Sequence, residues 1–266
     1  MTFAECISVV TAAVILATAD ANAGRNADYV AVPGGNLRSV LPADPAQPEV
    51  AVARFRLSRK PVTNAQFLAF VRKHADWQRG RAAAIFVDGN YLQHWHSALN
   101  LGTTVGPDQP VIQVSWFAAQ AYCEAQGSRL PTWHEWEFAA AADERVRDAR
   151  GDPAWRQKLL GWYSRPSNAV LSSVGATPPN VYGIYDLHGL VWEWVEDFNA
   201  LMVSADNREQ GDPDLAKFCG AGALSVNDRE NYAVLMRVAM LSSLQANYTT
   251  RNLGFRCAIN APKVVR

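Results

Sequence analysis

The sequence predicts an α+β domain rich in loops, and three observations carry that expectation. Two capping boxes, Thr63-Asn64-Ala65-Gln66 and Thr132-Trp133-His134-Glu135, each open a short helix. Short alternating runs bounded by Pro and Gly, such as Tyr29 to Pro33 and Val50 to Ser58, read as strands. The stretch from Asn180 to Asp197 (NVYGIYDLHGLVWEWVED) carries two Tyr, two Trp, two Gly and four carboxylates with neither a helical nor a strand period. It reads as a loop held in one shape by many specific contacts.

In chain order, Tyr29 to Pro33 followed by Gly34-Gly35 reads as an opening strand and a turn. The Pro-rich stretch from Leu41 to Glu49 reads as a surface loop, and Val50 to Ser58 as the next strand. The helix opened by Thr63 puts Phe67, Phe70, Val71 and His74 on one face, with His74 expected at the helix end or surface. Arg79 to Val87 carries no clear element. Tyr91 to His96 (YLQHWH) alternates, and as a strand it places His94 and His96 on one face. Such a pair supplies two metal ligands but not a complete site. Pro110 to Ser115 reads as a short buried strand, after which Ser115 caps a helix through Cys123 that Gly127 ends. The helix opened by Thr132 carries Trp136, Phe138 and an Ala run, with His134 exposed in its first turn. Residues 143–179 read as loops around a short helix from Pro153 to Leu160. Lys217 to Ser225 is rich in small residues and allows close backbone approach. Tyr232 to Leu244 is apolar and fits a strand and a helix equally, and Asn252 to Ala258 closes the chain as a strand.

A length of 266 residues allows one large domain or two small ones. At 49% hydrophobic and 19% charged, the composition is that of a soluble globular protein. A formal net charge of zero gives no electrostatic basis for binding nucleic acid or a membrane surface. Residues 7–18 form an apolar run, shorter than the roughly 20 residues a membrane span needs. Ala21-Asn22-Ala23 then offers a signal-peptidase site. The n-region has Glu5 and no Lys or Arg, which is atypical. The reading is nonetheless a signal peptide over residues 1–23 and a periplasmic or secreted mature domain over 24–266. Cleavage leaves 25 basic and 23 acidic residues, a net of +2, and removes Cys6. Cys123, Cys219 and Cys257 remain, so an oxidising compartment implies one bridge and one free thiol. The chain has no tandem repeat, Gly-rich phosphate loop, nucleophile elbow or zinc-type Cys pairing.

Five segments in this order carry a family resemblance: YVAVPGG, RKPVTNAQFLAFV, PVIQVSWFAAQAYCEAQGSRLPTWHEWEFAA, NVYGIYDLHGLVWEWVED and RNLGFRCA. Together they resemble the formylglycine-generating enzyme (sulfatase-modifying factor) family, from about Tyr29 to Ala258. The resemblance implies a single compact α+β domain with little regular secondary structure, distantly similar to C-type lectins. It implies a disulfide between Cys123 and Cys257, leaving Cys219 as the free thiol. It also implies one structural Ca²⁺ held by Asp186, Gly189, Val191 and Glu193, since carboxylate and backbone oxygens suit a hard cation. The alternative for Asp186 and Glu193 is solvation or pairing with Arg. A second calcium site of the family, near Asn168, lacks its Asp between Ala169 and Asn180 and is not expected here.

The pattern breaks where the family's chemistry sits. Active members of the family use two cysteines ahead of the LGFRCA segment. Together these bind copper(I), a soft ion suited to thiolates, and activate O₂ to oxidise a substrate cysteine. Here Ala221 to Phe255 contains no cysteine, and Asp228 and Ala233 stand roughly where the thiols belong. The family's RGGSW-like motif is replaced by Cys219 to Ala223. No catalytic residue is assigned. Cys219 is read as a copper ligand or mixed-disulfide thiol on one view and as a buried small hydrophobe on the other.

The FCGAGA motif, the missing cysteines and YLQHWH further resemble a subgroup found beside copper nitrite reductases. The expected function is therefore an exported accessory or maturation factor. A protein partner or peptide would enter a cleft lined by Trp192, Arg237 and Arg256. The alternative is a copper- or iron-dependent oxidase of a protein or peptide, working through His94 and His96 or Cys219. A third reading, a peptide- or carbohydrate-binding module, rests on the lectin likeness and nine Trp.

Overall fold

A computed structural model describes residues 28–39, 48–164, 170–199 and 232–261. The signal segment 1–23, Asn168, Cys219 and Asp228 lie outside the described residues. Thirteen short elements confirm the mixed, loop-rich α+β class. They begin with β1 (Tyr29–Val32), β2 (Gly35–Arg38), β3 (Glu49–Val52) and β4 (Phe55–Ser58). Helix α1 (Asn64–Lys73) and a 3₁₀ turn (Ala75–Trp77) follow, then α2 (Trp116–Ala125), α3 (Trp133–Ala140) and α4 (Pro153–Tyr163). The chain continues through β5 (Trp192–Trp194), α5 (Tyr232–Ser242), β6 (Leu253–Phe255) and β7 (Ala258–Asn260). Among the described residues no helix is long and apolar enough to cross a membrane.

The strands make three small sheets. In the largest, β4 lies between β1 and β7, both antiparallel to it, with Val32 opposite Phe55 and Leu57 opposite Ala258. All four of those residues are buried. β2 pairs with β3 antiparallel, and β5 with β6 parallel. The expected strand from Val50 to Ser58 is thus two strands in two sheets. The physical reason is a crossing of the chain on itself at their junction. Gly34 adopts φ 72°, and a Cβ built there would stand 2.3 Å from the Val52 carbonyl oxygen. Only glycine fits that turn.

Both capping boxes form. Thr63 accepts from the Gln66 amide while the Gln66 side chain accepts from the Thr63 amide, and Thr132 and Glu135 do the same. Ser115 caps α2 and Asp152 caps α4, which runs to Tyr163, a turn longer than the sequence predicts. His74 sits exposed at the C-cap of α1. His134 is half-buried rather than exposed, beside Ser39. The ambiguous run Tyr232 to Leu244 is helical. Its Met, Leu and Ala residues favour helix, and Val234, Arg237, Val238 and Leu241 share one face at helical spacing.

Three expected strands are corrected. Pro110 to Ser115 makes only a bridge at Pro110, because Gln113 turns into the left-handed region with φ 51°. Tyr91 to His96 is a series of turns with Leu92 at φ 52°, so its alternation does not describe a pleat. Asn252 to Ala258 breaks at Arg256-Cys257 into β6 and β7, which serve different sheets.

The core between these elements is aromatic. Phe67 of α1 lies 5.4–6.3 Å, centroid to centroid, from Phe70, Trp95, Tyr122 and Phe255. The Cys123–Cys257 disulfide forms, joining α2 to the segment between β6 and β7 across a separation of 134 residues.

Candidate functional site

The stretch from Asn180 to Asp197 is a loop that ends in β5, and buried polar contacts fix its shape. The Asn180 side chain donates to the Ala139 carbonyl at 2.8 Å and accepts from the amides of Tyr182 and Ile184. Asp186, with φ 58°, accepts from the Gly175 amide and from the Thr177 hydroxyl. Glu193 is fully buried, and Arg256 donates to it twice, Nε to Oε2 at 2.7 Å and Nη2 to Oε1 at 2.8 Å. Trp136 Nε1 adds a third donor to Oε2 at 2.7 Å. Arg256 spends its remaining donors on the carbonyls of Ser58, Arg59 and Tyr185. Trp194 is anchored through Nε1 to the Val114 carbonyl.

These contacts decide how the expected calcium positions fit. A calcium ion takes six to eight oxygen ligands, drawn from carboxylates, carbonyls and waters. Both oxygens of Glu193 are bonded to N–H donors, and its charge is cancelled by Arg256. Both oxygens of Asp186 are likewise engaged. As arranged, Glu193 is committed to the Arg pairing that was the alternative, while Asp186 is bonded only by the neutral Gly175 amide and Thr177 hydroxyl. Among the described residues no three His, Cys, Asp or Glu side chains gather as a metal site.

His94 and His96 do not come together. His94 Nδ1 lies 3.1 Å from Gln113 Oε1 and Nε2 lies 3.3 Å from Asn64 Oδ1, which also accepts from Trp95 Nε1. Burial lowers its pKa to about 4, so the ring is neutral near pH 7. His96 is exposed. Arg79 fastens this turn by donating to the carbonyls of Leu92, Trp95 and His96. The pair is part of a folded turn rather than a ligand set. Arg256 is corrected in the same sense, from cleft lining to interior clamp.

Arg237 does line a cleft. It sits on α5 with 2% of its surface exposed, its guanidinium carbon 3.2 Å from the centroid of the Trp136 ring and 4.9 Å from that of Trp133. Its Nε stands 3.6 Å from Glu137 Oε1, an ion pair beyond hydrogen-bond distance. Among the described residues none of its three nitrogens has a hydrogen-bond partner, nor has Glu137 Oε1 or His188 Nδ1. These groups line one small pocket between α3, α4 and α5, with a cavity volume of about 10 Å³, about the space of one water. Trp155, Leu159, Tyr163 and Ala233 complete much of its wall. Burial raises Glu137 to about 7 against the pull of Arg237, and lowers Arg237 to about 10, still charged at neutral pH. His188 donates Nε2–H to the Ala140 carbonyl at 2.8 Å, which leaves Nδ1 as an acceptor. Trp192 is half-buried nearby, packed on Trp162 and Tyr163 with centroids 5.4 and 5.0 Å away.

The sequence reading found Arg237 but missed Glu137, His188 and Trp155, and Trp192 packs against Tyr163 rather than lining the pocket. Glu137 had a signal: it lies four residues after Trp133 and three before Ala140, on the apolar face of its helix. His188 had none, because no periodicity assigns its loop a face.

The family model described as "Sulfatase-modifying factor enzyme 1-like domain" matches residues 16–261. The chain is 30% identical to the formylglycine-generating enzyme of Streptomyces coelicolor, over 87% of this chain and 89% of that one. It is also 30% identical to a Mus musculus relative named inactive C-alpha-formylglycine-generating enzyme 2, over 80% of this chain and 77% of that one. Among solved structures, PvdO from Pseudomonas aeruginosa is 19% identical with a TM-score of 0.46, covering 88% of this chain and 94% of that one.

Proposed function

The chain belongs to the sulfatase-modifying factor (formylglycine-generating enzyme-like) family, and from that premise we propose that it is an accessory or maturation factor that receives a polypeptide partner without oxidising a cysteine. The observation that carries this reading is the wall of the Arg237 pocket. Ala233, which stands roughly where the family has a copper-binding thiol, supplies only a methyl group there. No cysteine occurs from Ala221 to Phe255 to replace it. Copper(I) and O₂ chemistry of the family's kind rests on thiolate ligands. What the pocket keeps is recognition chemistry: an indole wall, a buried guanidinium and an unused imidazole nitrogen. The mouse relative named inactive gives this reading a precedent within the family.

The compartment proposed is the periplasm or the extracellular space. The apolar run at residues 7–18 followed by Ala21-Asn22-Ala23 supports export, and the Cys123–Cys257 bridge suits an oxidising environment. The partner proposed is an exported copper enzyme of the nitrite reductase type, on the strength of the FCGAGA and YLQHWH segments. Two measurements on the purified, disulfide-intact chain test the proposal. Crosslinking to a purified copper nitrite reductase is expected to give a defined heterocomplex. Copper-loaded protein incubated with a cysteine peptide in air is expected to leave the peptide without an aldehyde by mass spectrometry. Aldehyde formation, or no crosslink, overturns it.

A further inference from the structure

We propose that the small cavity between α3, α4 and α5 binds a single water molecule as a fixed ligand, which accepts from Arg237 and donates to Glu137 and His188. This goes beyond the reading above and does not rest on it, since it concerns how α5 is fastened to the domain.

The argument starts from size. A volume of about 10 Å³ admits one water and no polyatomic organic ligand. Ala140, Ala141 and Ala233 line it with nothing longer than a methyl group, so no side chain of the wall fills it. Burial alone does not place a water, because an apolar cavity of this size stays dry. A site needs about two to four polar partners to hold one. Arg237 has its face against Trp136 at 3.2 Å, so its flat side is used, but its three nitrogens have no hydrogen-bond partner among the described residues. Buried donors in that state are rare, because each forfeits its hydration. The other guanidinium on this wall is spent: Arg150 gives Nε and Nη2 to Asp148 and Nη1 to the Arg38 carbonyl.

The acceptors choose water over an ion. With Nε2–H committed to Ala140, His188 Nδ1 presents a lone pair, and Glu137 Oε1 is likewise without a donor. A monatomic anion such as chloride would satisfy the guanidinium and leave both acceptors bare, beside a carboxylate that repels it. A cation would satisfy the acceptors and stand against the Arg237 charge. Water has two O–H donors for the two acceptors and two lone pairs for the guanidinium. It also bridges the 3.6 Å between Arg237 Nε and Glu137 Oε1, which is too long for a direct hydrogen bond. The three partners come from α5, from α3 and from the loop of residues 180–197, so one water joins three segments.

A high-resolution crystal structure of the wild-type chain tests the site, grown above the Glu137 pKa of about 7 and with bromide as the halide. One peak is expected in the cavity, within hydrogen-bond distance of an Arg237 nitrogen, Glu137 Oε1 and His188 Nδ1, and without anomalous signal at the bromine edge. In solution, oxygen-17 relaxation dispersion is expected to count one long-lived water fewer in Glu137→Leu than in wild type. Glu137→Gln keeps an oxygen acceptor and is expected to keep the count. An empty cavity, a bromide peak, or a peak that touches Arg237 but neither acceptor overturns the proposal, as does a count unchanged by Glu137→Leu. The wild-type crystal decides if Glu137→Leu does not fold.

Discussion

Arg256 and Glu193 form a bidentate ion pair with neither side chain exposed to solvent, at 2.7 and 2.8 Å. The pair joins the loop of residues 180–197 to the break between β6 and β7, and Trp136 completes the carboxylate from a third element. Removing one member leaves the other charge buried and unpaired, which costs about 3–5 kcal/mol. Glu193→Gln keeps the shape and removes the charge, so it isolates that cost. Urea unfolding of Glu193→Gln is expected to show a loss of at least about 3 kcal/mol. A variant with wild-type stability would show that the pair is not what holds the loop.

Calcium enters the same loop from the opposite direction. A ligand that binds only the folded state raises stability with its concentration. With Glu193 neutralised by Arg256 and Asp186 bonded to Gly175 and Thr177, no such rise is expected here. Melting temperatures in millimolar calcium and in excess chelator are expected to coincide. A rise of several degrees with calcium would show that the carboxylates turn toward an ion and restore the four-position site.

The Cys123–Cys257 bridge closes a loop that contains α3, α4, β5, α5 and β6. In the chain-entropy picture a separation of 134 residues contributes about 4–5 kcal/mol. Both sulfurs are buried, so reduction has to wait for opening of the α2 end of the core. Cys123→Ala with Cys257→Ala is expected to lower the unfolding free energy by about 2–5 kcal/mol, measured against wild type under oxidising conditions. An unchanged midpoint would mean that the unlinked chain is already compact before folding.

These contacts also show what the sequence made legible. Helix starts were legible because capping is local: Thr63 with Gln66 and Thr132 with Glu135 lie within one turn of each other. Short strands were overextended because pairing is not local. Nothing in Val50 to Ser58 announces that Val52 and Phe55 belong to different sheets. YLQHWH misled because alternation was read as a pleat, while Leu92 and the Arg79 fork bend it into turns. Arg237 was legible as a lone cation in an apolar run. Its pocket was not, since Glu137, Trp155 and His188 reach it from three separate segments.

His94 gives the sequence a pH-sensitive core position. Burial holds its pKa at about 4 in the folded protein against 6.5 ordinarily, so the folded state binds the ring's proton less readily than the unfolded chain does. The stabilising contribution is complete above pH 6.5 and is lost as pH falls toward 4, by up to about 3 kcal/mol. Glu137 works the other way. Its folded pKa of about 7 lies above its ordinary 4.5, so its contribution is complete below pH 4.5 and is lost as pH rises through 7. Glu137→Gln should therefore steepen the loss of stability on acidification between pH 6.5 and 4.5, and His94→Gln should flatten it. Urea midpoints across that window for the wild type and both variants check the signs. Parallel curves for all three would mean that neither group changes its proton affinity on folding.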